Sequence, residues 1–213
     1  NGSDVRMGRV GVPKLPRNHL ARFQIVEYFR AFLFGRVGWA AVNALPLVSG
    51  AFGMFARRSI LAVGGYRTDA IGEDMELIVR LHRHFRERRM RYRIGFVPEP
   101  VCWTEAPEDL HVLAVQRNRW QRGLIDSLWR HRVMFLNPRY GVMGMLAIPF
   151  YAIFEMIGPV IEVAGVIVAL ASLALGIVNT TFALMFFSVA VLLGIVLSLV
   201  AVFLEGLSYR RYP

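Results

Sequence analysis

Residues 182–204 hold no charged side chain, and this 23-residue run constrains the fold more than any other feature of the chain. As a helix rising about 1.5 Å per residue, it is long enough to cross a hydrocarbon layer of about 30 Å. Before it, residues 156–178 are apolar except for Glu162, and residues 141–154 form a further apolar run that ends at Glu155. The pattern predicts a membrane-surface or half-inserted helix from about Gly141, a spanning helix from about Met156, and a second spanning helix over the uncharged run. Pro149 and Pro159 predict a kink or break, whose freed carbonyls need partners. Glu155 and Glu162 are costly against lipid. They are expected to face protein, water or the headgroup level, with a structural ion pair favoured over a functional role.

The charge distribution gives an orientation. The short loop at 179–181 carries no charge, the tail carries Arg210 and Arg211, and the long N-terminal part is rich in Arg. Excess positive charge favours the cytoplasmic side, so both flanks are expected there and the loop outside. Twenty-three of the 25 Lys and Arg precede Gly141, against twelve of the 15 acids. That excess points to a polyanion, an anionic membrane surface or phosphate-bearing substrates. Nucleic acid is set aside as a partner, because there is no helix-turn-helix, zinc-finger or RNA-recognition pattern. Cys102 is the single cysteine, so there is no internal disulfide, and no Cys/His cluster has zinc spacing. His82 and His84 are two apart, on different helix faces, and are read as solvated. The chain opens at Asn1 with nothing resembling a signal peptide, and is expected to be a fragment of a longer protein.

Residues 1–17 read as an irregular connection. From His19 to about Arg36, Leu20, Phe23, Val26, Phe29 and Leu33 recur at helical spacing, which predicts an amphipathic helix packed on a core. Residues 45–55 are apolar and punctuated by glycines, as in a strand lining a pocket or a tight turn. Gly64 and Gly65 mark a turn, after which a helix begins near Gly72 with Leu77, Ile78 and Leu81 on its apolar side. Glu73, Asp74 and Glu76 fall in its first turn, where the helix dipole favours carboxylates. That explains them as capping acids, while the same field keeps a carboxylate ionised and able to act as a base toward a hydroxyl. Residues 92–97 and 101–104 read as short strands. A further helix begins near Glu108 or Asp109 and continues through Ile125, Leu128, Trp129, Val133 and Phe135 as a helix lying in the membrane interface, ending before Pro138.

That helix carries Gln116-Arg117-Asn118-Arg119-Trp120. Gln116, Arg119 and Trp120, at i, i+3 and i+4, share one face. The indole offers a flat surface to a sugar ring, and the guanidinium can grip phosphate oxygens in a fork. Trp and Arg beside a membrane also serve as plain interfacial anchors, and the residues alone leave both readings open. No glycine-rich phosphate loop and no Ser/His/Asp arrangement accompanies them.

Four landmarks in order, Ser49-Gly50-Ala51-Phe52-Gly53, Gly64-Gly65-Tyr66 with Gly72-Glu73-Asp74, Thr104-Glu105 with Pro107, and the Gln-x-x-Arg-Trp cluster, resemble the processive, membrane-integrated family 2 glycosyltransferases, the cellulose, hyaluronan, chitin and poly-N-acetylglucosamine synthases. The resemblance implies an α/β fold: the second half of a GT-A-type domain, followed by an interfacial helix and transmembrane helices. On that division residues 1–115 form the acceptor-side half, 116–140 the motif and interfacial helices, and 141–213 the membrane region with about two spans. It also implies a multi-pass protein of the inner or plasma membrane with its catalytic part cytoplasmic. Such an enzyme takes a nucleotide-sugar donor and an acceptor that is a carbohydrate or lipid-linked. By resemblance Asp74, with Glu73 beside it, holds the position of the general base, and Gln116, Arg119 and Trp120 those that bind acceptor and diphosphate.

The family's donor half carries an early aspartate and an Asp-x-Asp pair that helps hold a divalent metal, Mg2+ or Mn2+. Neither has a counterpart in this sequence, so the metal ligands of the complete enzyme are expected to lie outside the chain, and the chain is expected to be inactive alone. Two alternatives stay open: transfer of a single sugar to a lipid, and a non-enzymatic two-span anchor or partner subunit with a basic cytoplasmic domain.

Overall fold

The computed structural model describes residues 5–6, 9–10, 15–97, 102, 104–177 and 179–208. Arg210 and Arg211, on which the orientation of the tail rests, lie outside them, as do Val101 and Trp103 of the strand expected at 101–104. β1 (Val5–Arg6) and β2 (Arg9–Val10) form a two-residue antiparallel pair. All other regular structure among the described residues is helical. The α/β layering is thus not seen in the described residues. Residues 45–49 and 91–97 belong to no regular element: a strand is defined by a neighbour that takes its backbone groups, and here side chains take several of them. Asn43, in the left-handed region at φ 50°, donates its amide to Tyr92 O and accepts from Ile94 N–H, both at 3.0 Å. A parallel neighbour would take those same two groups.

α1 (His19–Phe29), a wide π-type segment (Arg30–Arg36) and α2 (Val37–Ala41) form one continuous helix. Asn18 caps it, accepting from the Leu20 and Ala21 amides at 2.8 and 3.3 Å. The expected amphipathic face is not what seats it: Phe23 is 75% exposed, and only Ala21 and Gln24 of α1 are buried. Its partner is the last helix, against which both α1 and the π-type segment lie. The short α3 (Arg57–Ala62) leads to the turn at Gly64 and Gly65, both at positive φ. Arg80 holds that turn by donating to the carbonyls of Val63 and Gly65.

α4 (Glu73–Glu87) buries Leu77, Ile78, Leu81 and Phe85 against Val48, Phe55, Ile60 and Ile94, as its periodicity predicts. His82 belongs to the same buried face and is fully inaccessible, so the solvated reading fails for it; His84 is half-buried. These two irregular segments explain His82. The Leu45 carbonyl can only accept, so Nε2 donates to it at 2.9 Å, which leaves Nδ1 to accept from the Tyr92 hydroxyl at 2.6 Å. Arg86 Nε in turn donates to that hydroxyl.

α5 (Leu110–Arg130) starts where its acids predict, with Asp109 accepting from the His111 and Val112 amides at 2.7 and 3.2 Å. It ends at Arg130, and one-turn 3-10 segments at Arg132–Met134 and Pro138–Tyr140 carry the chain onward. Trp129 stays 69% exposed, with Val133 and Phe135 also exposed beside it, while Leu128 is buried.

Two helices are long and apolar enough to cross a membrane, Met143–Ala174 and Thr180–Phe203. The first does not break at its prolines. It runs through π-type turns at Met143–Ala147 and Tyr151–Ile157 on either side of α6 (Ile148–Phe150), then into α7 (Gly158–Ala174). The wide turns absorb the ring and missing N–H of each proline without stopping the helix. Its beginning is packed on protein: Met143, Ala147, Ile148 and Ala152 join Ala44, Met75, Val79 and Leu128 in one buried cluster. α8 (Thr180–Ser208) follows, entered through Asn179, whose side chain accepts from the Phe182 amide. Among the described residues neither Glu155 nor Glu162 forms an ion pair, contrary to the expected structural pairing. Both are exposed on the helix surface.

Burial pushes the His82 imidazole down to about 4 from an ordinary 6.5. Its neutral form is therefore favoured in the fold, and its contribution to stability is complete above pH 6.5 and is lost as pH falls toward 4. The window corresponds to about 3 kcal/mol. The thermal midpoint of the detergent-solubilised protein should fall over that range, and His82→Gln should flatten the fall.

Candidate active site

One cleft of about 3030 Å³ gathers Glu73, Asp74, Gln116, Arg119 and Trp120, the residues singled out from sequence. Gly50 and Ala51 of the first landmark, Thr104 and Glu105 of the third, and Glu155 and Glu162 of the first apolar helix also line it.

Two glycines bring the acids to the motif. A Cβ built on Gly72 would stand 3.0 Å from Gly123 Cα, and one on Gly123 would stand 3.0 Å from Gly72 Cα. Backbone meets backbone here, so neither side could yield by turning a side chain. Gly72 has φ −116°, open to any residue, and the close approach alone demands glycine. It pins the start of α4 against the second half of α5. Gly50 closes the other side, where a Cβ would lie 3.1 Å from Asp74 Oδ2. Asp74 Oδ1 accepts from the Met75 amide at 2.8 Å, leaving Oδ2 toward the cleft wall. Arg36 lines the same cleft, its pKa lowered chiefly by burial and raised in part by Tyr151 and Asp74.

Glu76, two residues on, serves the fold instead. It is buried, and although burial raises its pKa, hydrogen bonds from His131 and Arg80 outweigh that and hold it below the ordinary carboxylate range.

On α5, Gln116 is half-buried with its side-chain oxygen unpartnered, and Arg119 is exposed. Trp120 is 43% exposed, with the Arg117 guanidinium 4.8 Å from its ring centroid. Arg117 pairs in a fork with Glu27 of α1. Arg119, which pairs with no carboxylate among the described residues, and the part-exposed Trp120 indole make a surface suited to an anion and the apolar face of a ring, with the buried Gln116 oxygen behind them.

Sequence reasoning missed Gln121. Pro159 has no N–H for the carbonyl of Glu155, four residues back. Gln121 Nε2 supplies one, at 3.3 Å to Glu155 O and 3.0 Å to Met156 O. The signal was half present, since a proline in a membrane helix announces an orphan carbonyl without naming its partner. Glu27 and the Gly72–Gly123 contact left no sequence signal, being 90 and 51 residues from their partners.

Residues 6–205 match the family described as Glycosyl transferase family group 2. The chain belongs to that family. This family 2 chain is also 31% identical over 160 residues, 72% of its length and 35% of the relative's, to a poly-beta-1,6-N-acetyl-D-glucosamine synthase of Staphylococcus aureus strain COL. A protein of the same name in Staphylococcus epidermidis is 30% identical over 111 residues, 52% of this chain and 26% of that one. The chain thus spans about a third of the length of the first of these. No solved structure matches it.

Many glycosyltransferases of this family use a divalent metal. Among the described residues no group of three His, Cys, Asp or Glu side chains comes together to hold one.

Gly72→Ala and Gly123→Ala should each push α4 from α5, at a cost of about 1–3 kcal/mol. A lowered thermal midpoint is expected for each variant. Gln121→Leu removes a side-chain donor from the Glu155 and Met156 carbonyls and should cost about 1 kcal/mol, read as a lowered midpoint in detergent.

Proposed function

We propose that this chain is the acceptor-side portion of a membrane glycosyltransferase that transfers a sugar, with inversion, from a nucleotide-sugar donor to a growing polysaccharide. The observation that carries the proposal is the convergence of Asp74 with Gln116, Arg119 and Trp120 in one cleft continuous with the first apolar helix. On this reading residues 1–115 belong to a GT-A-type α/β domain whose sheet is completed by strands that residues 1–213 do not contain.

The chemistry follows from the groups present. Asp74, in the first turn of α4 with Glu73 beside it, takes the proton from the acceptor hydroxyl. The oxygen attacks the anomeric carbon from the face opposite the nucleotide, a C–O bond forms, and the bond to the diphosphate breaks. Arg119 stabilises the negative charge on the departing diphosphate. Gln116 contributes its side chain to the acceptor wall, and Trp120 carries the chain end on its indole face. Holding the acceptor at the base is where binding lowers the barrier. The names of the relatives favour N-acetylglucosamine as the sugar. Two apolar helices support a membrane location as a multi-pass enzyme, and the Arg-rich part before Gly141 favours the cytoplasmic side for the cleft. Donor-binding acids and metal ligands come from outside residues 1–213, so the 213-residue chain is inactive alone.

Asp74→Asn in the longer protein should lower the rate of sugar transfer by about 10²–10⁴-fold at unchanged expression. Trp120→Ala should shorten or abolish the product. Both are read by separating the products of membrane vesicles by size, where a ladder supports polymerisation. A single lipid-linked sugar, or full activity in Asp74→Asn, would sink the proposal.

A further inference from the structure

Glu27 and Arg117 are 90 residues apart in sequence, yet two short charge-assisted bonds join them: Nη1 to Oε1 at 2.7 Å and Nη2 to Oε2 at 2.6 Å. A fork of this kind fixes the plane of the guanidinium, which a single contact would leave free to turn. The same guanidinium lies over the Trp120 ring, 4.8 Å from its centroid. Arg117 thus faces a carboxylate at one end and an indole at the other. Its side chain is 35% exposed and that of Glu27 49%, so solvent screening leaves the pair little weight in stability. The fork's main effect is therefore on the orientation of the ring.

The helix that supplies Glu27 is itself held on two sides. Asn18 donates to Glu108 O at 3.0 Å and buried Gln24 donates to Pro107 O at 2.7 Å, which ties α1 to the segment leading into α5. The rest of α1 lies against α8. The position of Glu27 is therefore set by the second apolar helix and by the entrance to the motif helix together.

We propose that Glu27 is a positioning residue for the acceptor: acting through Arg117, it locks the Trp120 indole in the orientation on which a growing sugar chain rests. This depends on the polymerising reading given above. Because Glu27 touches neither donor nor base, its loss should weaken the hold on the chain and leave donor binding alone.

The test uses the longer protein in membrane vesicles, supplied with its nucleotide sugar, reading mean product length and the KM for the nucleotide sugar. Glu27→Gln should shorten the product about fivefold or more with that KM changed less than about twofold, while Glu27→Asp, which keeps the charge, should recover most of the length. In a Trp120→Phe background, Glu27→Gln should add less than its effect alone, because the two act as a unit. An unaltered thermal midpoint in Glu27→Gln separates positioning from misfolding. The inference is overturned by a full-length product from Glu27→Gln, by a KM that rises as far as the length falls, or by effects that multiply in the double variant. Unmodified protein that makes no ladder would remove the polymerising reading itself; a normal ladder with an indifferent Glu27→Gln removes only this one.

Discussion

The contact of Gly72 with Gly123 sets the geometry of everything near the cleft. Two helices ordinarily stand 8–10 Å apart because side chains separate them. Here the N-terminus of α4 meets the middle of α5 backbone to backbone. That approach puts a first-turn carboxylate beside the helix that carries Gln116, Arg119 and Trp120. Gly50, also without a side chain, keeps the opposite wall equally close to Asp74. Three glycines from separate stretches of the chain do what no polar contact could, because each removes an obstacle.

Around that contact the molecule relies on side chains to complete backbone hydrogen bonding. Asn43 takes two peptide groups of residues 92–94, His82 donates to Leu45 O, and Gln121 serves the carbonyls near Pro159. In each case an irregular or interrupted element remains satisfied without a regular neighbour. The buried imidazole is the most sensitive of these, since protonating Nδ1 would oppose the donor it faces on Tyr92.

What could be read from sequence was what is local. The uncharged run, the Asp109 cap and the apolar stripe of α4 all depend on neighbours within a few turns, and they match the structure. The readings that failed needed distant partners. The 45–55 and 92–97 segments have strand-like composition, but a strand also needs a ladder. His82 looked solvated because its acceptor lies 37 residues away. Pro149 and Pro159 announced a disturbance whose form, wide turns in place of a break, depends on packing against α5 and Trp39. The residues of the candidate site were legible as types and spacing. Their assembly was not, because it depends on absent side chains at positions 72 and 123.

The buried cluster around Met75 and Leu128 draws four of its ten residues, Met143, Ala147, Ile148 and Ala152, from the start of the first apolar helix. During synthesis α4 and α5 leave the ribosome first but cannot close their own interior. They wait for the first turns of an apolar helix that continues past Ala152 to Ala174. The final packing of α4 and α5 is therefore tied to the placement of that helix, and a version cut at Gly141 would expose the surface it most needs to bury.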